Sequence, residues 1–152
     1  MSAFARQSTR SIAILRYFFY GTLLDADIRR RVLGHAMAPP GTPARLDGYV
    51  RVGVPGKSYP TLVAGPGSVH GQLFDGVTPA LRQRLTAFEG TGYREAVLTV
   101  ATDTGVETTA RVLVARCPPR VITGWSLERW RRVDKARFMR GLDGAAPPPR
   151  SR

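Results

Sequence analysis

The stretch Tyr17-Phe18-Phe19-Tyr20-Gly21-Thr22-Leu23-Leu24-Asp25 constrains this chain more than any other. An unbroken aromatic run that enters a glycine and continues as a helix-compatible segment reads as a buried strand, a tight turn and the start of a helix. Such a turn leaves backbone N–H groups unpaired at a helix N-terminus, where an anion or a developing oxyanion can be held. Alone, the pattern fits a phosphate, a carboxylate or a plain strand-to-helix connection.

A chain of 152 residues with 43% hydrophobic residues is expected to fold as one domain with a real core. Its single thiol, Cys117, can form neither an internal disulfide nor a cysteine-based zinc site. The histidines, His35 and His70, have no ligand spacing and stand beside no nucleophile motif. No metal and no cofactor are expected, and nothing requires an oxidising compartment, so a cytoplasmic location is the expectation. The net charge of +12 comes almost wholly from arginine; the lysines are Lys57 and Lys135. The arginines are spread along the chain, with Arg29-Arg30-Arg31 and Arg129, Arg131 and Arg132 in helical patterns where they are expected to face water. A nucleic-acid partner is therefore not expected, although the charge keeps that possibility in view. The apolar run from Ile12 to Leu24 is interrupted by Arg16 and Gly21 and is too short to span a bilayer.

The expected organisation is a flexible extension over residues 1–15, one domain over 16–140 and a disordered Pro/Arg-rich tail over 141–152. Within the domain, Tyr17–Tyr20 reads as a strand and Asp25–Leu33 as a short helix stopped by Gly34, with a loop over 35–43. Strands are expected over Arg45–Val52, Thr61–Ala64 and Val69–Phe74, with Gly65-Pro66-Gly67 turning the chain between the last two. Gly71 inside a strand marks a bulge or a close backbone approach. Thr78-Pro79 opens the clearest helix, with Leu81, Leu85 and Phe88 on one face and Glu89 as its last residue before Gly90. Two strand-like runs, Tyr93–Thr102 and Val106–Arg116, flank the turn Asp103-Thr104-Gly105, and Ser126 caps a final amphipathic helix carrying Leu127, Trp130 and Phe138. The order implies an α+β fold with a mostly antiparallel or mixed sheet able to close into a small barrel.

Glu89 is the sharpest chemical candidate. A helix C-terminus carries partial negative charge, so a carboxylate there is disfavoured as an anion and its pKa should rise. The alternative is a surface glutamate at a frayed helix end. Tyr93 and Arg94 follow after Gly90-Thr91-Gly92, whose glycines permit close approach of a substrate; Arg94 could pair with Glu89, hold a substrate carboxylate or face outward. Tyr59, before Pro60, could wall a pocket or pack in the core.

Taken together these segments resemble the gamma-glutamylcyclotransferase-like superfamily. Tyr20-Gly21-Thr22-Leu23 resembles its Tyr-Gly-(Thr/Ser)-Leu signature, and Tyr59-Pro60-Thr61-Leu62-Val63 its Tyr-Pro-x-Leu-Val segment. Val69-His70-Gly71-Gln72-Leu73-Phe74 is similar to its Val-x-Gly-x-Leu-Tyr strand, and Leu85-Thr86-Ala87-Phe88-Glu89-Gly90 with Tyr93-Arg94 to its Leu-x-x-(Leu/Phe)-Glu-Gly…Tyr-x-Arg block. The motifs occur in order between Arg16 and Ala115, and the Tyr93-Arg94 spacing departs from that of many relatives.

The resemblance implies a small mixed, mostly antiparallel β-barrel flanked by helices. It implies Glu89 as the catalytic acid/base and Tyr20, Gly21, Thr22 and Leu23 as the substrate loop, with Tyr59, Tyr93 and Arg94 as further substrate contacts. The implied reaction is cofactor-independent cleavage of an amide by intramolecular aminolysis, releasing 5-oxoproline from a γ-glutamyl amino acid or γ-glutamylamine. The implied partner is that small substrate, handled by a monomer or homodimer away from any membrane. The contrasting reading is a module that keeps the barrel without catalysis and uses its basic surface for nucleic acid or a protein partner. The loops over 35–43 and 53–59 are expected to wall the specificity pocket.

Overall fold

In the computed structural model, which describes residues 14–145, five strands close a mixed barrel in the order β1-β3-β2-β4-β5. They are β1 (Leu15–Phe19), β2 (Thr42–Gly53), β3 (Pro60–Val77), β4 (Tyr93–Thr102) and β5 (Glu107–Ala115). Every pairing is antiparallel except that of β1 with β5, which closes the barrel in parallel. Four α-helices flank it: α1 (Ala26–Leu33), α2 (Pro79–Glu89), α3 (Leu127–Val133) and α4 (Lys135–Ala145).

The aromatic run is explained by two cores that share β1. Phe18 and Tyr20 join a cluster drawn from all five strands, including Leu46, Leu73, Val100 and Val112, which fills the barrel. Tyr17 and Phe19 point to the other face, into a cluster with Ile28, Leu33, Phe74, Leu85 and Trp130 beneath the helices. Successive residues of a strand face opposite ways, so a strand covered on both sides reads as a continuous apolar run. Burying each such ring contributes about 2–3 kcal/mol.

Gly71 has the close approach expected of it: a Cβ there would lie 2.3 Å from the Phe19 carbonyl oxygen and 2.8 Å from the Phe18 ring. The expected turn at Gly65-Pro66-Gly67 is instead part of one long strand, β3. Asp47 pairs with Ser68 and Tyr49 with Ala64, so this tripeptide opposes the single residue Gly48. The glycines and proline form a β-bulge, where a missing ladder N–H is tolerated.

The helix boundaries follow local chemistry. Asp25 caps α1 by accepting from the N–H groups of Asp27 at 2.9 Å and Ile28 at 3.2 Å. Thr78 caps α2 by accepting from Leu81, and Gly90, at φ +82°, ends it as expected. The β4–β5 turn has Gly105 at φ +87°. The final helix differs from expectation: it breaks at Asp134 into α3 and α4. Helix α4 continues to Ala145, past the expected domain end at residue 140. The expected extension lies outside the described residues apart from Ile14 and Leu15, the latter opening β1, and the tail beyond Ala145 also lies outside them.

Candidate active site

The turn after β1 is a short 3-10 segment, Thr22–Leu24, entered through Gly21. The carbonyls of Gly21 and Thr22 accept from the N–H groups of Leu24 and Asp25 at 2.9 and 3.0 Å. Among the described turn and loop hydrogen bonds, the amides of Gly21, Thr22 and Leu23 donate to no backbone carbonyl. Glycine at 21 has a steric reason: a Cβ would sit 3.0 Å from Pro60 Cγ and 3.1 Å from Cδ. The ring of Pro60 therefore lies directly against the turn.

Two buried charges hold this turn. Arg29 on α1 is only 1% exposed. It donates to the carbonyls of Leu23 at 2.9 Å, Leu24 at 3.0 Å and Met37 at 2.8 Å, and also to that of Ala38. Its guanidinium carbon lies 4.8 Å from the centre of the Phe74 ring. Asp25, equally buried, pairs with Arg131 Nε at 2.8 Å and Lys135 Nζ at 3.0 Å. Burial alone raises the Asp25 pKa, but these two cations and the Ile28 N–H bring it below its ordinary value. The expectation that Arg29 faces water is thus corrected, whereas Arg131 is exposed as expected while also pairing with Asp25. Asp25, Ile28, Arg29, Val32 and Leu33 follow i, i+3, i+4, i+7 and i+8, so the helical period places Arg29 on the buried face with the apolar residues.

The turn opens onto a cavity of about 470 Å³, within the range of small-molecule sites. Tyr20, Gly21, Thr22, Leu23, Tyr59, Glu89 and Tyr93 all line it, so the structure brings together every expected site residue except Arg94. Arg94 is exposed, because alternation along β4 turns it away from the side that buries Tyr93. It lines an adjoining groove with Arg82 and Arg116, which shares Glu89, Tyr93 and Leu113 with the cavity. His35 and His70 are exposed and lie outside the cavity. The loop over 53–59 contributes Ser58 and Tyr59, whereas the loop over 35–43 contributes nothing to the lining.

Three tyrosines crowd Glu89. The Tyr59 and Tyr93 rings meet edge to face with centroids 5.8 Å apart, and the Tyr93 hydroxyl donates to the Pro60 carbonyl at 2.8 Å. The Tyr20 hydroxyl donates to the Leu113 carbonyl. Burial first, and the nearby Glu89 charge with it, raises the pKa of Tyr20, Tyr59 and Tyr93, so all three stay neutral. Glu89 is half-buried at the end of α2, and desolvation pushes its carboxyl up to about 8. At pH 7 that leaves roughly a tenth of the carboxyl ionised. The cavity thus brings the 21–23 turn together with a carboxyl whose pKa burial has raised toward neutrality.

A family model described as gamma-glutamyl cyclotransferase, AIG2-like, matches residues 17–132, a span containing the turn, Tyr59, Glu89 and Tyr93. The chain belongs to this family. AIG2-like protein A of Arabidopsis thaliana is 28% identical over 87% of this chain and 81% of its own length. AIG2-like protein C of the same plant is 30% identical over 80% and 72%. A solution structure of an Arabidopsis thaliana protein superposes with a TM-score of 0.64 at 26% identity, covering 86% of this chain and 81% of that one. A solved protein named gamma-glutamyl cyclotransferase shares the fold with a TM-score of 0.53 at 23% identity, covering 67% and 66%.

The matched span ends before α4, and sequence reasoning missed that helix as a wall of the cavity. Asp134, Arg137, Phe138 and Leu142 line it. Phe138 packs edge to face on Phe88 with centroids 6.1 Å apart and on Trp130 at 5.4 Å. The amphipathic pattern places Phe138 toward the body, and the break at Asp134 sets the following turn against the cavity.

Proposed function

We propose that this protein cyclises a γ-glutamyl compound, releasing 5-oxoproline and an amine or amino acid. The observation that carries the reading is Glu89, with its carboxyl raised to about 8, lining one cavity with the turn of residues 21–23. In this reaction Glu89 as carboxylate takes a proton from the substrate's α-ammonium. The freed amine attacks the γ-carbonyl carbon, forming a new C–N bond and a five-membered ring, and the carbonyl oxygen becomes an oxyanion. The protonated Glu89 then gives its proton to the departing nitrogen as the original amide C–N bond breaks. The second surplus proton of the attacking nitrogen passes to the released amine by the same carboxyl or by water, so no oxidant, reductant or water is consumed.

The nucleophile is tethered to its target, so orientation supplies much of the rate and no activated serine or cysteine is needed. A carboxyl with a pKa near the working pH suits both proton transfers. The amides of Gly21, Thr22 and Leu23 stabilise negative charge on the substrate. Tyr20, Tyr59 and Tyr93 shape the wall, and burial keeps their hydroxyls neutral beside the ammonium. The free thiol, exposed at Cys117, fits a cytoplasmic protein. Incubation with γ-glutamyl amino acids, γ-glutamylamines and glutathione, followed by quantitation of 5-oxoproline, tests the proposal. Formation of 5-oxoproline from at least one of them is expected; none from any would overturn it.

A further inference from the structure

Resting on that reading, Arg137 stands at the cavity without a role in the reaction. Among the described residues lining the cavity, Arg137 is the only cation. Its position is built by the turn that joins α3 to α4. Asp134 ends α3 with its N–H donating to Trp130 at 2.8 Å, and its own carbonyl accepts from Phe138 at 2.9 Å. Arg137 Nη2 donates to the Asp134 carboxylate at 3.2 Å. Helix α4 is itself fixed by Lys135 on Asp25 and Asp27, by Arg31 on Asp143 at 2.9 Å, and by Phe138 against Phe88 and Trp130. The Arg137 side chain is 68% exposed, so it stands at the rim and not in the interior. A guanidinium carries five N–H donors, and the single bond to Asp134 leaves the others free.

The site thus has two places for negative charge: the amides of residues 21–23 and, at the rim on α4, Arg137. A γ-glutamyl amino acid has two carboxylates, one on its glutamyl part and one on the amino acid that leaves; a simple γ-glutamylamine has only the first. We propose that Arg137 receives the carboxylate of the leaving amino acid, so that γ-glutamyl amino acids are the preferred substrate class. Guanidinium and carboxylate match as a fork, and Asp134 limits the conformations from which Arg137 binds. Arg137 is a specificity residue that takes no part in proton transfer.

The test compares γ-glutamyl-alanine with γ-glutamyl-ethylamine, which differ only by that carboxylate, in the wild type, Arg137→Met and Arg137→Lys. A charge-assisted hydrogen bond at a solvent-washed rim corresponds to roughly tenfold in binding. The wild type should therefore prefer the alanine compound about tenfold, chiefly through KM, and Arg137→Met should lose that preference with the ethylamine compound and the melting temperature unchanged. Arg137→Lys should recover part of the preference. Equal losses on both compounds would assign Arg137 to the glutamyl carboxylate and overturn the proposal, as would no loss on either. If neither compound yields 5-oxoproline, the reaction as read here fails, and calorimetric titration of the same compounds decides Arg137 separately. Tighter binding of the alanine compound that Arg137→Met abolishes supports it; equal binding or none overturns it.

Discussion

Replacing Glu89 with glutamine should stabilise the protein, and increasingly so as the pH rises. The folded-state pKa of about 8 stands above the ordinary value of 4.5, so between those limits the unfolded chain releases a proton that the folded protein keeps. Stability contributed by this group is complete below the unfolded pKa and is lost as pH rises toward 8, where the loss levels off. At 1.36 kcal/mol per pH unit, the span from 4.5 to 7 corresponds to about 3 kcal/mol against the folded state. The part of Glu89 that still reaches solvent screens this, giving on the order of 2 kcal/mol at pH 7. Glutamine keeps the shape and cannot ionise. For a domain of this size the gain corresponds to a melting temperature about 4–8 °C higher. Thermal unfolding of both proteins from pH 4.5 to 9 reads it out: the curves should coincide at the acid end and separate progressively to about pH 8. A difference independent of pH, or a glutamine variant less stable than the wild type at pH 9, would refute the reasoning.

Two further outcomes follow from the same site. The kcat/KM profile of the wild type should climb about tenfold per unit below an apparent pKa near 8, the free-enzyme value of Glu89, whereas that for kcat should lie lower because the bound ammonium favours the carboxylate; a kcat/KM limb below pH 6 would contradict this. Arg29→Leu leaves four carbonyls without their donor around the 21–25 turn and should cost on the order of 3–5 kcal/mol in denaturant unfolding; a loss below about 1 kcal/mol would show that the turn is held by other contacts.

Much of this fold was legible because its punctuation is local. Thr78-Pro79 and Gly90 bound α2, Asp103-Thr104-Gly105 joins β4 to β5, and Gly71 marks the contact with β1, each from a rule that acts within a few residues. The lining of the cavity was legible where a motif and a helix end coincide, at residues 20–23 and Glu89. What was not legible depends on distant partners. Gly65-Pro66-Gly67 has the composition of a turn, and only the pairing across to Gly48 makes it a bulge inside β3. Arg29 has the composition of a surface residue, and only carbonyls up to nine positions away make burial tolerable, although its place among Ile28, Val32 and Leu33 was a readable signal. Arg94 beside Tyr93 follows the strand rule instead: adjacency separates their side chains onto opposite faces, so Arg94 borders Glu89 from the adjoining groove and not from the cavity. The α4 wall is set by the break at Asp134, which no glycine or proline announces.

The central claim is that Glu89 moves the proton in a cyclisation whose charge is held by the turn after β1. It is tested most directly by 5-oxoproline formation from a turned-over γ-glutamyl substrate, measured at pH 8 for the wild type and Glu89→Gln side by side. The account predicts that the variant folds, melts no lower than the wild type and forms product at least ~10²-fold more slowly, the low end for general acid–base catalysis. Product formation by the glutamine variant at the wild-type rate would contradict it.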